Sequence, residues 1–80
     1  MSKKKCDPCE LSAALGLAFG ICDVALKNEV DCKSLEQQLV NGKIRKKKVF
    51  QKLHDAAVGA GKKQVANDIK KAASYIHIKV

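Results

Sequence analysis

The chain has 80 residues, which is enough for one small domain and too few for two, because folded domains typically start at about 50 residues. With 46% apolar residues, 30% charged residues and one proline, the composition is that of a globular chain rather than a disordered one. The formal net charge is +8, and the excess is in the second half: residues 1–40 hold five Lys and six acids, whereas residues 41–80 hold eleven Lys or Arg and two acids. We therefore predict a single domain over residues 1–80 with one strongly basic half.

The first predicted element is a helix that follows Asp7, Pro8 and Glu10. An acid at the N-cap, a proline at the first helical position and an acid at the third form a helix-start signature. We expect this helix to run to about Lys27. Most of its positions are apolar, which predicts a central and mostly buried helix. Its small or polar residues recur every three or four positions and share one face, which we call the polar stripe: Ser12, Gly16, Gly20, Asp23 and Lys27.

Two further helices are predicted in the middle of the chain. Helix 2 is expected from Asp31 or Ser34 to Asn41, where an Asn-Gly pair is a stop signal. Helix 3 is expected to begin near residues 46–48, because extending its apolar face further back would expose Ile44. The apolar face of helix 3 comprises Val49, Phe50, Leu53, Ala56, Ala57 and Ala60.

Helix 4 has an apolar face opposite a basic one. The apolar face consists of Val65, Ile69, Ala72, Ala73 and Ile76. The residues from Ile76 to Val80 then alternate between apolar and polar, which is typical of an extended segment that frays, packs on the bundle or pairs with another chain. Because the connections are short, we predict an all-α fold: a small antiparallel bundle of about four helices, with a central apolar helix 1 and a short extended C-terminal tail.

A basic run at the start of helix 3 points toward function. Five of the six residues from Lys43 to Lys48 are cationic, and a helix N-terminus already carries about half a positive charge. A bound polyanion relieves that repulsion. In an up-down-up-down bundle this run shares one end with the N-terminal lysines, and the basic face of helix 4 lies alongside. The predicted nucleic-acid-binding residues are Lys3, Lys4, Lys5, Lys43, Arg45, Lys46, Lys47, Lys48, Lys63, Lys70 and Lys71.

Lysine neutralises phosphates without reading bases, and scarce surface aromatics argue against base stacking on single strands. We therefore predict a non-enzymatic module that binds duplex DNA or structured RNA through phosphate contacts. The alternative is a protein-interaction module, a small inhibitor or assembly factor, that engages an acidic protein. The spacing of Gly16 and Gly20 and the extended C-terminal tail are both compatible with a homodimer. The sequence contains no catalytic motif and no family signature that we recognise.

The four cysteines form two pairs. Cys22 and Cys32 can meet across the turn between helices 1 and 2 and form a disulfide, although two small buried thiols are the simpler interpretation. Cys6 and Cys9 form a CxxC pair that is structural or metal-binding, for example half of a zinc site completed by a second chain. A single four-cysteine zinc site is disfavoured, because a continuous helix holds Cys9 and Cys22 about 20 Å apart.

The apolar stretch from Leu11 to Leu26 does not fit a targeting segment or a membrane span. Asp23 interrupts it, no clean small-residue cleavage site follows, and a spanning helix needs about 20 predominantly apolar residues. We therefore expect a cytoplasmic protein with no membrane span.

Overall fold

The computed structural model describes the backbone of residues 8–80 and the side chains of residues 12–80. Four helices follow one another: α1 (Pro8–Ala25), α2 (Cys32–Val40), α3 (Lys46–Gly59) and α4 (Lys63–Ser74). No strand occurs among the described residues, and the helices pack as a small bundle, so the predicted all-α fold is confirmed. The connections span residues 26–31, 41–45 and 60–62, and such short links leave successive helices antiparallel.

The helix ends follow the capping residues of the sequence. The Asp31 carboxylate accepts a hydrogen bond from the Ser34 backbone N–H at 3.1 Å and so caps the start of α2. At the end of α2, Gly42 has a φ of +74°, and the Lys43 N–H donates to the Gln38 carbonyl at 2.8 Å. This Schellman arrangement satisfies carbonyls that the helix leaves unpaired. The predicted N-cap of α1, Asp7, lies outside the described residues.

The core consists almost entirely of small aliphatic side chains. Phe50 is the only described aromatic residue that is fully buried. Among the described residues, no polar or charged side chain is buried. The buried residues are Ala14, Ala18, Cys22, Leu26, Cys32, Leu35, Val49, Phe50, Leu53, Ala57, Ala66, Ile69, Ala72, Ala73 and Ile76.

The helices surround this core unequally. Of the described helices, α4 packs most extensively on α3 and then on α1, whereas α2 packs on α1 and α3 and does not contact α4. Both α1 and α3 contact each of the other three helices. Helix 1 is therefore central, as predicted, and it shares that position with α3.

The outward side of α1 is more apolar than expected. All five residues of the polar stripe, which were predicted to share one face, are exposed. Leu17 and Val24 are also exposed, although the expectation was that the apolar positions of this helix are buried. That expectation is wrong at these two positions, because three neighbouring helices cannot cover the full circumference of α1.

The C-terminal tail packs against the bundle. Ile76 is buried, and Ile78 and Val80 are partly buried against the core. The reversal that brings them there is a Schellman turn, in which the Ile78 N–H donates to the Ala73 carbonyl at 3.0 Å. His77 occupies the left-handed position of this turn with a φ of +59°, where glycine is usual.

Two cross-links hold the end of the bundle where α1 meets α2. A disulfide joins Cys22 to Cys32 with their Cα atoms 6.0 Å apart, an outcome that the sequence left open. The Lys62 ammonium donates to the Ala25 carbonyl at the end of α1 and lies 3.5 Å from the Glu29 carboxylate. A cation at a helix C-terminus is favourable, so the α3–α4 connection is anchored to α1.

Reduction of the disulfide is expected to lower the free energy of unfolding by about 3 kcal/mol, because the cross-link closes a loop of about ten residues in the unfolded chain. Urea unfolding with and without a phosphine reductant measures this difference. The double variant Cys22→Ala, Cys32→Ala is the control, since reductant leaves its stability unchanged. An equal effect of reductant on both proteins contradicts the prediction.

Replacing His77 by glycine is expected to raise the free energy of unfolding by about 0.5 to 1 kcal/mol, because glycine has no Cβ to clash in the left-handed conformation. Thermal unfolding followed by circular dichroism measures the gain. His77→Ala is the matched control, because alanine also removes the imidazole but keeps the Cβ. A gain from alanine as large as that from glycine would rule out this explanation.

Candidate functional site

An open cleft of about 640 Å³ lies where α2 ends and α3 begins. Its walls come from the last turn of α2, the connecting loop and the first two turns of α3. Five cationic side chains, two amides and one aliphatic side chain line it. The lining residues are Gln38, Lys43, Ile44, Arg45, Lys47, Lys48, Gln51 and Lys52.

Local sequence explains why these cations share one surface. The left-handed Gly42 reverses the chain after α2, and Ile44 packs partly against the core, which holds the loop in place. Lys43 and Arg45 flank Ile44 and remain exposed. Within α3, residues four apart lie on one face, so Lys48 is followed on the same side by Lys52.

Among the described residues, the cap and the first turn of α3 supply no compensating negative charge. Arg45 is its N-cap residue, with φ −88° and ψ 155°, and its side chain makes no capping hydrogen bond. The first turn contains no acidic residue and instead consists of Lys46, Lys47 and Lys48. The partial positive charge of the helix end therefore adds to the charge of the surrounding side chains.

The cations of the cleft are unpaired, whereas its amides are engaged. Within the part of the chain that the structure describes, none of the five lining cations forms an ion pair with a carboxylate. The Gln38 side-chain amide donates to the Ser34 hydroxyl at 3.2 Å, and the Gln51 amide donates to the Asp55 carboxylate at 3.1 Å. Each amide therefore uses one of its donors within its own helix, and the cations are the groups that no described acid pairs with.

The structure brings together only some of the residues predicted from sequence. Four of them line the cleft: Lys43, Arg45, Lys47 and Lys48.

The other predicted residues lie elsewhere. Lys46 is exposed but does not line the cleft, and Lys70 is on the outer face of α4. Lys63 begins α4 at the far end of α3, about 20 Å along the helix axis from the cleft. Lys71 lines a separate groove between α1 and α4. The predicted residues Lys3, Lys4 and Lys5 are outside the described residues.

Sequence reasoning missed one cation of the cleft and the role of another lysine. Lys52 lines the cleft, and its spacing of four from Lys48 was the signal that could have identified it. Lys62 belongs to the basic second half but is used to anchor the bundle through Ala25 and Glu29. No sequence pattern distinguishes that lysine from its neighbour Lys63.

The described residues offer no metal site and no membrane span. No group of three or more His, Cys, Asp or Glu among them is placed to hold a metal ion. Cys22 and Cys32 are joined in the disulfide and are not available as ligands. Cys6 and the side chain of Cys9, the predicted zinc half-site, fall outside the described part of the chain. None of the described helices has the length and apolar character needed to cross a bilayer.

Comparisons with protein-family models, with curated proteins and with solved structures each find no match to this chain.

The uncapped start of α3 predicts that Arg45→Asp stabilises the protein by about 1 kcal/mol, because an N-cap carboxylate accepts hydrogen bonds from first-turn amides and opposes the helix dipole. Urea unfolding at low salt measures the gain. Arg45→Ala is the control and gives no comparable gain. The opposite change at an occupied cap, Asp31→Ala, is expected to cost about 1 kcal/mol. No gain from aspartate would show that the helix start is already compensated.

Proposed function

We propose that this protein is a non-enzymatic module that binds nucleic acid through phosphate contacts in the cleft between α2 and α3. The observation that carries the proposal is the gathering of five cations around the N-terminus of a 14-residue helix, with no ion pair to a described carboxylate and no side-chain cap among the described residues. Phosphate oxygens accept hydrogen bonds from both lysine side chains and helix-terminal amides, and the helix dipole favours the same charge.

The energetics support an external anion. Like charges crowded within two helical turns repel one another, and the first-turn lysines are also repelled by the helix dipole. Binding a polyanion replaces both repulsions by attraction and releases condensed counterions, which is the main source of affinity for nucleic acid. The fold itself needs none of these lysines, because none of them is buried.

The chemistry of the cleft favours nucleic acid over an acidic protein. Protein interfaces gain most of their affinity from buried aromatic or arginine anchors near the centre of the contact. The lining holds one arginine, Arg45, and no aromatic side chain, and its one large apolar residue, Ile44, is already packed partly on the core. A repeated row of phosphates needs no such anchor, because charge alone provides the affinity.

The proposed partner is duplex DNA or structured RNA, bound without sequence preference. No aromatic side chain lines the cleft, so unpaired bases have no stacking platform there. The two lining glutamines are held by Ser34 and Asp55, and the lysines act as point charges. Contacts of this kind position a duplex without discriminating between base pairs.

A cytoplasmic location is part of the proposal, and the disulfide bears on it. Cytoplasmic disulfides are uncommon except in some hyperthermophiles. Here Cys22 is fully buried and Cys32 almost so, which shields the bond from attack by small thiols. Counting the thiols that an alkylating reagent modifies in intact cells tests whether the bond persists there.

Affinity for a mixed-sequence DNA or RNA duplex is expected to fall steeply as salt is raised from roughly 50 to 200 mM. If all five lining cations contact phosphates of DNA, the slope of log K against log salt is about −4.5. Replacing Arg45, Lys47 and Lys48 by glutamine then reduces it to about −2. Fluorescence anisotropy with a labelled duplex of about 20 base pairs measures both slopes.

The matched control removes three exposed cations from the opposite end of the bundle: Lys27, Lys33 and Lys63, each replaced by glutamine. Both triple variants lower the net charge by the same amount, so a general charge effect weakens them equally. Selective loss in the cleft variant supports the proposal. Absence of binding to DNA and RNA duplexes at low salt, with binding to a polyglutamate peptide retained, would instead indicate an acidic protein partner.

A further inference from the structure

A second surface, on the other side of the molecule from α2, is apolar. Two adjoining depressions follow the seam between α1 and α4, and we call them together the α1–α4 groove. Of the five large apolar residues that are exposed in the described chain, three border this groove: Val24 at 84%, Tyr75 at 50% and Leu17 at 47%. Exposed apolar side chains that cluster in this way mark an interaction surface rather than random exposure.

The floor of the groove permits close approach by another helix. Gly16 and Gly20 lie along it, and a Cβ atom placed on either glycine meets no atom within 4 Å. Neither glycine is therefore required by packing within the chain, and neither has a positive φ. Glycine in the middle of a helix lowers helix stability, so these two positions carry a cost that the fold of one chain does not offset.

The charges at the groove identify its occupant. The chain as a whole is strongly basic, yet the charged residues lining the groove are one acid and one base, Asp68 and Lys71, which lie three residues apart on α4. A basic chain meets little repulsion here, in contrast to the cleft. We infer that the α1–α4 groove is a dimerisation surface, and that its partner is the same groove of a second copy of this chain.

A two-fold axis gives this pairing a definite register. Asp68 lies beside Leu17 and Ile21. Measured along the axis of α1, which defines the level of a residue here, the point midway between Asp68 and Lys71 is therefore close to the point midway between the two glycines. If the two-fold axis passes through that point and the two copies pair antiparallel, Gly16 of one copy lies at the same level along the interface as Gly20 of the other. The same axis sets each Asp68 at the level of the other copy's Lys71. The surface is thus complementary to itself, as a two-fold interface requires.

Sedimentation velocity of the full chain over roughly 5 to 500 µM tests the pairing. Interference optics are suitable because the chain has one Tyr and no Trp. The expected result is a reversible dimer that persists at high salt, because its contact is mainly apolar. A non-reducing gel distinguishes it from chains cross-linked through cysteine. A monomer throughout this range overturns the inference.

Paired variants locate the interface. Leu17→Gln with Val24→Gln is expected to weaken the dimer roughly tenfold or more, since it removes the exposed apolar side chains at the contact. The control is Val40→Gln with Val58→Gln, which removes two equally exposed valines outside the groove and leaves the dimer unchanged. Equal weakening by both pairs, or by neither, overturns the inference.

A charge exchange tests the register. Asp68→Lys is expected to weaken the dimer, because it sets two cations at the same level across the axis, and adding Lys71→Asp restores it. Gly16→Ala with Gly20→Ala provides a readout independent of folding: the free energy of unfolding of the monomer rises, because alanine favours the helix and its Cβ meets nothing, while dimer affinity falls. Failure of the exchange to restore the dimer, or unchanged affinity of the alanine variant, contradicts the proposed pairing.

Discussion

The structure depends on a core of small side chains that has to be packed tightly. With one buried aromatic ring, Phe50, the bundle obtains apolar burial mainly through Leu, Ile, Val and many alanines. Alanine buries little surface itself, but it lets helix axes approach closely, as at Ala72 and Ala73 of α4. Among the described residues no polar or charged residue is buried as a whole, although the Nδ1 atom of His54 is buried without a hydrogen-bond partner. The described charged side chains consequently lie at or near the surface.

A core this small needs support at the ends of its helices. The disulfide between Cys22 and Cys32 and the contact of Lys62 with the end of α1 both lie at the end of the bundle where α1 meets α2. At the opposite end, within the described part of the chain, the α2–α3 loop is held by a Schellman turn and by the partly buried Ile44. Cross-links therefore stabilise one end of the bundle and leave the other end, where the cleft lies, free to carry repulsive charge.

Much of the fold follows from local sequence signals. Asp31, Gly42 and Pro8 mark helix boundaries because capping and backbone constraints act within a few residues. The apolar spacing of α3 and α4 identified most of their buried residues, but Ala60, predicted on the apolar face of helix 3, lies beyond the end of α3 and is exposed. The exposure of Leu17 and Val24 was not predictable in this way, because it depends on how many helices surround α1. The reversal at His77 was also missed, since histidine is enriched among left-handed residues but adopts that conformation too rarely to mark a turn by itself.

Whether a residue of the basic half is available to a polyanion depends on its contacts within the fold rather than on its charge alone. Lys62 and Lys63 are adjacent in sequence, yet Lys62 is bound to Glu29 and the Ala25 carbonyl and serves the fold. Lys52 was not among the predicted binding residues, yet it lines the cleft, as its spacing of four from Lys48 could have indicated. A count of basic residues along the sequence includes Lys62, which serves the fold, and does not single out Lys52, which lines the cleft. A site for a polyanion is a group of cations that the fold brings to one surface and does not pair with acids. Among the described residues, that group surrounds the start of α3.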